Sequence, residues 1–552
     1  MDLNMNRYII KAALAAVAMA SVASCNFLEE DLKSSLAPEN TYTSSLGFEV
    51  GTAGLYSIAR SEYNTWGENG AFIHNGACAY ECLQIGTDIC EQNGAKDGSL
   101  TPFANLTLNA STQFVKTYWQ WAYNLIGSAN EILIFSEKDN VKWDKPSDKQ
   151  LYQAEARFFR AYAYRYLTYL YGDVPYVETI QNPFVLSFTR TPKAEVLSKI
   201  IADLEFAAEH LPVDPDGVKT GKLTCWAAYH LLSEMYLVQK DYEKAEKAAL
   251  KVIDSKYFSL MKDRFGANAK AAGDAYSDLF ILNNQNRPSG NNESIWVMQF
   301  EYNTVGGGTN SDDWTRRAWN PQYFNINGFT LCEEYGGRGL AQISPMKWWI
   351  GVKNTNATGP DGIFEDKDMR NSEYSIKRTW IYNNPAVEST YGKQCNITDQ
   401  TWSVGHLFPA LTKFFFGVSA NLSLTGGYKD RMKFRLAETY LLLAEAYLGM
   451  GDTQKAADAV NVVRRRAKAS DVTAEQMDMD FLLDERIREL VGEEVRRFTL
   501  VRTGKLVERV KKYNEAQKDI IDDHFCLWPV PQNILDSNRD ADFPQNPGYE
   551  SK

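Results

Sequence analysis

The stretch LSEMYLVQKDYEKA, residues 232–245, has a counterpart in LAEAYLGMGDTQKA, residues 443–456. Seven positions coincide: Leu232/Leu443, Glu234/Glu445, Tyr236/Tyr447, Leu237/Leu448, Asp241/Asp452, Lys244/Lys455 and Ala245/Ala456. Each copy reads as a helix, a tight turn at the aspartate and a second helix. Small side chains (Ser233, Ala444, Ala245, Ala456) let the two helices approach closely, while Tyr236 and Tyr447 fill the space between.

This repeat resembles the tetratricopeptide unit. Such a unit cannot bury its own apolar face, so other helix pairs must stack on it. Stretches near 112–136, 151–171 and 482–503 are the expected companions. Ser147-Asp148-Lys149-Gln150 predicts a capping box opening a helix that runs to about Tyr171. Leu151, Ala154, Phe158, Ala161 and Arg165 share one stripe of it, Gly172 offers a stop and Pro175 prevents continuation. Between about 256 and 430 helical periodicity fades and Gly, Asn and Pro become frequent. Seven of the 13 tryptophans fall there, and Ser294–Phe300 alternates like a strand. The fold class that follows is mainly α: a tetratricopeptide-like scaffold of about four helix pairs over 41–255 and 431–552. A loop-rich, aromatic-rich insertion over 256–430 packs against it.

The first residues carry a different kind of information. Arg7 and Lys11 precede an alanine-rich apolar run, Ala12 to Ala23, which ends at Val22-Ala23-Ser24-Cys25. That is a secretory signal whose small residues precede a cysteine, so residues 1–24 read as a lipoprotein signal peptide and Cys25 as the acylated first residue. The apolar run is too short to span a bilayer, which takes about 20 residues. Residues 25–40 then form a tether, and 41–552 a single domain. Glu29-Glu30-Asp31 reads either as a solvated linker or as part of a surface-export signal.

Hydrophobic content of 44% and charged content of 23% are ordinary for a globular protein. A net charge of −11 argues against a nucleic-acid partner, because no basic excess exists to neutralise phosphates. Seven cysteines follow Cys25, so at least one lacks an intramolecular partner. Cys78, Cys82 and Cys90 have no nearby histidine and make an incomplete zinc set, so no metal is expected. The 5 histidines form no metal-spaced pair, and neither a phosphate-binding glycine loop nor a nucleophile motif is present. No cofactor and no catalysis are expected.

Several longer motifs carry a family resemblance. AEARFFRAYAYRYL (154–167) with LYGDVPY (170–176), DERIRELVGEEVRRF (484–498) with RTGKL (502–506), and LWPVPQNILDSN (527–538) with QNPGY (545–549) are together similar to the SusD/RagB family of outer-membrane nutrient-binding lipoproteins. The resemblance spans nearly the whole mature chain. It implies a non-catalytic, lipid-anchored protein of the outer membrane, facing the cell exterior. Such a protein captures oligosaccharide or polysaccharide and passes it to a TonB-dependent, SusC-like transporter. The alternative it leaves open is a protein-interaction scaffold or a peptide-binding lid of the transporter complex.

Arg157, Arg160, Arg486, Arg488, Arg496 and Arg497, with Glu155, Glu485, Glu489 and Glu493, read as exposed charge pairs three or four apart on helix faces. Glu493 and Glu494 are adjacent on a helix and point apart, a poor arrangement for a glycosidase acid and base. A sugar ring is held by an aromatic plane on its C–H face and by polar side chains on its hydroxyl fringe. Trp314, Arg316, Trp319, Asn320 and Tyr323 combine both within one short segment and are the first candidate contacts. The resemblance implies a further contact at the hydrophilic loop after Asp88, with Asn93 and Phe103, and Tyr63 and Trp66 in another loop are the remaining candidates. The same rings would equally serve to pin long loops to the scaffold. Trp119, Trp226, Trp296 and Trp528 sit in regular patterns and read as core.

Overall fold

A computed structural model describes residues 37–63, 72–74, 77–93, 98–180, 187–302, 304, 313–416, 422–424 and 426–549. The expected signal peptide, Cys25 and the acidic stretch lie outside the described residues. Among those described, no helix is long and apolar enough to cross a membrane.

Numbering the long scaffold helices in chain order, α1 is Ser45–Arg60, α2 Gln113–Ser136, α3 Asp148–Tyr171, α4 Lys193–His210, α5 Cys225–Gln239 and α6 Tyr242–Ile253. After the loop-rich region come α7 Leu436–Gly449, α8 Thr453–Arg466 and α9 Met479–Leu490. They pack as four successive pairs, α1 with α2, α3 with α4, α5 with α6 and α7 with α8, and α9 closes the row against α7. The two repeat copies are therefore neighbours: α6 lies against α7 although the whole insertion separates them in sequence. Their closest approach uses a glycine. A Cβ at Gly449 would come within 2.3 Å of the Tyr242 ring.

Both repeat turns are built alike. Asp241 caps α6 by accepting from Lys244 N at 3.2 Å, and Asp452 caps α8 by accepting from Lys455 N at 3.0 Å. The residue before each aspartate adopts a left-handed backbone, Lys240 at φ 63° and Gly451 at φ 80°. Helix α3 spans the predicted range, but the predicted capping box is absent. Ser147 has helical dihedrals, so its side chain makes no cap bond; an N-cap needs extended backbone. Asp148 instead accepts from Ser45 Oγ at 2.7 Å, tying α3 to α1.

α3 is almost wholly buried despite its polar side chains. Burial without a partner costs free energy, and here the polar groups have partners. Arg160 pairs with Asp203 at 2.7 Å, Arg165 with Glu234 at 2.8 Å, and Tyr166 donates to Glu62 at 2.5 Å. Trp119, Trp226, Trp296 and Trp528 are all buried, as their patterns predict. Cys78, Cys82 and Cys90 are separate buried thiols.

The insertion contains short elements only. Its strand β1, Ser294–Met298, pairs antiparallel with β2, Arg431–Arg435, which runs directly into α7. The insertion is docked by apolar contacts, such as Trp296 on Phe158 and Phe159, and by buried charge. Arg370 bonds Asp368, Glu485 at 2.7 Å and Glu489 at 3.0 Å; Glu293 bonds Arg435 and Arg466 at 2.8 Å each. Glu489 also accepts from Arg435 and Arg466. The expectation of exposed pairs within single helices is thus corrected. Only Arg488–Glu485 has that spacing; Arg160, Arg486, Arg496, Glu489 and Glu493 pair with distant residues in the interior. Guanidinium groups placed where segments converge find carboxylates across elements, not along them.

Candidate functional site

The loop aromatics singled out from sequence are mostly interior. Trp319 is 1% exposed and stacks on Phe414 at 5.0 Å, while Tyr323 packs among Phe329, Tyr335 and Trp380 and accepts from Cys332 N. Trp314 is buried with the Arg317 guanidinium 4.5 Å from its ring, and Asn320 lies buried beneath Gly336 and Gly339. Tyr63 is buried under Arg431 at 3.9 Å and accepts from Lys433 at 2.7 Å. Phe103 packs on Trp528, and Asn93 donates to Trp402 O at 3.3 Å. A depression lined by Glu91, Gln92, Thr101 and Asn105 opens beside these last two, which turn inward themselves. Trp66 lies outside the described residues. The expectation of a displayed arc at Trp314, Trp319 and Tyr323 is therefore corrected: segments without regular structure need a core of their own, and each ring supplies roughly 150–250 Å² of it.

One member of that segment does reach a cavity. Arg316, on the short helix Thr315–Trp319, lines a depression together with Asp313, Lys413, Phe416, Lys429 and Arg431. Its interior is small, about 50 Å³. Five separate segments build it, around Phe280, Asp313, Lys413, Lys429 and Glu493. A two-way backbone bridge, Asp313 with Gly427 at 2.9 Å each way, clamps the short helix to the stretch preceding β2. Arg431 then holds Asp313 at 2.9 Å, Thr315 at 3.2 Å and the Gly492 carbonyl at 2.9 Å.

An aromatic row leads into the cavity from outside. Tyr302 is 36% exposed, and its ring centroid lies 5.1 Å from that of half-buried Tyr428. Tyr428 in turn meets Phe416, a lining residue, edge-on at 4.6 Å. These two tyrosines, joined to the lining through Phe416, are the candidates for what the sequence reading sought at Trp314 and Trp319: ring surface beside hydrogen-bonding groups.

The electrostatics of the lining are uneven. Lys413 pairs with Glu493 at 2.7 Å and Arg431 with Asp313. Lys429 spends its three donors on carbonyl oxygens, of Phe280 at 2.9 Å, Lys413 at 2.8 Å and Phe415 at 3.0 Å. Burial pulls its ammonium down to about 7. Arg316 donates to the carbonyls of Phe416 at 2.7 Å and Leu424, and burial beside Arg317 pulls it down to about 10. Asp430 accepts from Phe300 N and Asn286, and burial pushes its carboxyl up.

A second depression lies over β1, lined by Tyr56, Lys219, Lys222 and Trp296. Its lysines are neutralised, Lys219 by Glu49 and Lys222 by Glu155, and Trp296 is buried with its indole N–H on Gly221 O. It offers no exposed ring.

Sequence reasoning missed Tyr302, Tyr428 and Lys429. The signal available was the polar run Tyr428-Lys429-Asp430-Arg431, placed just before a strand that feeds a scaffold helix.

Comparison with known proteins places the chain. A family model described as "SusD family" matches residues 292–549, and one described as "Starch-binding associating with outer membrane" matches 74–237. "SusD-like protein P25" of Formosa agariphila is 26% identical over 513 residues, covering 88% of each chain. "Starch-binding protein SusD" of Bacteroides thetaiotaomicron is 24% identical over 515 residues, covering 85% of each. Among solved structures, a surface glycan-binding protein A from Bacteroides thetaiotaomicron, in complex with laminarihexaose, shares the fold at a TM-score of 0.69 and 18% identity. It covers 91% of this chain and 100% of its own. The chain belongs to the SusD/RagB family.

Proposed function

We propose that this SusD/RagB member is a non-catalytic surface lipoprotein, anchored through Cys25, that captures oligosaccharide and hands it to a TonB-dependent outer-membrane transporter. The observation that carries the reading is the cavity at Arg316 with the Tyr302–Tyr428 pair at its rim. Two ring faces and a fringe of charged and carbonyl groups meet the two surfaces of a sugar. The starch-binding and laminarihexaose-bound relatives support the ligand class. Two lining carboxylates are engaged by the protein itself, which supports a binding role without chemistry: Glu493 is held by Arg435 and Lys413 and kept below its ordinary range, while Asp430, raised by burial, accepts from Phe300 N and Asn286.

Each stack that buries roughly 50 Å² contributes ~1 kcal/mol. Tyr302→Ala with Tyr428→Ala should therefore weaken oligosaccharide binding by roughly ten- to thirtyfold in titration calorimetry. Chromatography of the bound glycan should show no shorter products. Unchanged affinity on a ligand that does bind would move the site elsewhere, and released product would overturn the non-catalytic reading. Co-purification of a transporter with the membrane-anchored chain checks the hand-off, and its absence would favour free capture.

A further inference from the structure

Among the described residues, two of the four cations lining the cavity form no ion pair. Lys413 is neutralised by Glu493 and Arg431 by Asp313. Among the described residues, neither Arg316 nor Lys429 has a carboxylate within ion-pair distance; both bond only to backbone carbonyls. Asp430, the third carboxylate of the lining, is committed to Asn286 Nδ2 and Phe300 N. Arg316 is 2% exposed, and its Nε–H finds no acceptor although it is buried. A buried guanidinium cannot shed its proton under ordinary conditions, so its charge calls for an anion. Carbonyl oxygens offer partial charges only. The position of this excess positive charge matters: it lies in the cavity behind the tyrosine pair, where a substituent of a stacked sugar would arrive.

From this we propose that the cavity receives an oxyanion carried by the saccharide, a carboxylate or a sulfate ester, so that the preferred cargo is an acidic glycan. Arg316 is the contacting group through its planar donor fork, which matches a carboxylate or sulfate. Lys429 contributes field, because its three N–H donors are already engaged. The proposal rests on the capture function proposed above. Its test can fail while that function stands.

The experiment titrates the mature full-length chain with matched pairs of oligosaccharides. One pair is a galacturonic-acid oligosaccharide and its neutral methyl-esterified form; the other is a sulfated galactan oligosaccharide and its desulfated form. A neutral glucan and an oligoglutamate peptide complete the panel. The expected result is binding at least tenfold tighter for an acidic member than for its neutral counterpart, and the pair showing it tells carboxylate from sulfate. Neutral members bound as well as or better than acidic ones would overturn the acidic cargo and leave glycan capture intact. Binding of the peptide alone would overturn both, as would binding of nothing.

Arg316→Gln should abolish the acidic preference. Since Arg316 also holds two loop carbonyls and Lys429 three, Lys429→Met is paired with a pH series on the unaltered protein, which supplies a second arm free of substitution. Lys429→Met should lower acidic-ligand affinity about three- to tenfold more than it lowers neutral-ligand affinity, so that the loss of its three carbonyl bonds cancels in the comparison. Lys429 faces Lys413, Arg316 and Arg431 as cations and Asp313, Asp430 and Glu493 as carboxylates, with no histidine in the lining. Its amine titrates near 7, so acidic-ligand affinity should fall as pH rises from 7 to 9 while neutral-ligand affinity stays level. An acidic preference indifferent to both Lys429→Met and pH would overturn the role given to Lys429.

Discussion

The seam between the two repeat copies and the junction of the insertion with the scaffold differ in how much buried charge they carry. Where α6 meets α7, the contact is made by Gly449 against Tyr242 and by buried alanines and leucines. Where the insertion meets the scaffold, apolar contacts such as Trp296 on Phe158 and Phe159 and Trp348 on Tyr513 are joined by a buried ionic network, in which Glu293, Asp368 and Arg370 interlock with Arg435, Arg466, Glu485 and Glu489. Apolar contact tolerates small shifts, whereas a buried charge network is costly unless every member is paired. The insertion is therefore fixed in one position, and its cavity with it: Glu493, which neutralises Lys413 in the lining, is bonded to Arg435 of the same network.

The comparison breaks most readily at Glu489. Its carboxylate accepts from Arg370, Arg435 and Arg466, so Glu489→Gln leaves three guanidinium groups short of charge in a buried place. The expected loss is about 3–5 kcal/mol in urea denaturation. Amide exchange should rise in the β1 segment, residues 294–298, before it rises in α5 and α6. A loss under about 1 kcal/mol would mean that the insertion is held by its apolar contacts after all.

Acid tests the same junction without a mutation. Glu485 is pulled down to about 2 by Arg370, Arg488 and Arg464, and Glu489 and Glu493 are also lowered by their arginines. A carboxylate depressed in the folded state contributes stability that is fully present above its ordinary value of 4.5 and is lost as pH falls toward the folded value. Stability should thus hold down to about pH 5 and then drop, by on the order of 3 kcal/mol from Glu485 alone by pH 2. The insertion should loosen first; simultaneous loss of scaffold helicity would contradict the contrast in buried charge.

The apolar side of the comparison is sharpened at Gly449. A valine there would drive its Cβ and methyls into the Tyr242 ring and cost about 1–3 kcal/mol, read as a lowered midpoint. Tyr242→Ala in the same chain should restore part of that loss. No restoration would place the strain elsewhere.

What was legible in the sequence follows the same division. The repeat at 232–245 and 443–456 announces itself because helix period, turn aspartate and small residues are local features, and α5 to α8 fall where they predict. The Arg and Glu residues were visible but their partners were not: Arg496 bonds Asp88, and no spacing rule connects the two. At the site, Arg316 was legible as a polar residue among rings. Trp319 and Tyr302 were not distinguishable in role, since a ring that pins a loop from inside and one that faces solvent look alike until the chain closes around one of them. Phe414, behind which Trp319 stacks, is nearly a hundred residues away in sequence.

The smallest effect lies within the repeat itself. Lys240 and Gly451 occupy equivalent positions and share a left-handed backbone, yet only one of them is glycine. For a residue with a side chain this conformation costs about 1–2 kcal/mol, partly offset because glycine loses more entropy on folding. Lys240→Gly should therefore stabilise by roughly 0.5–1 kcal/mol, and Gly451→Ala should destabilise by a similar amount, with open space around its Cβ leaving backbone strain as the cause. Both are read as shifts in urea midpoint at constant slope. If Lys240→Gly were instead destabilising, contacts of the lysine stem would outweigh its backbone, and the two turns would be equivalent in shape but not in what holds them.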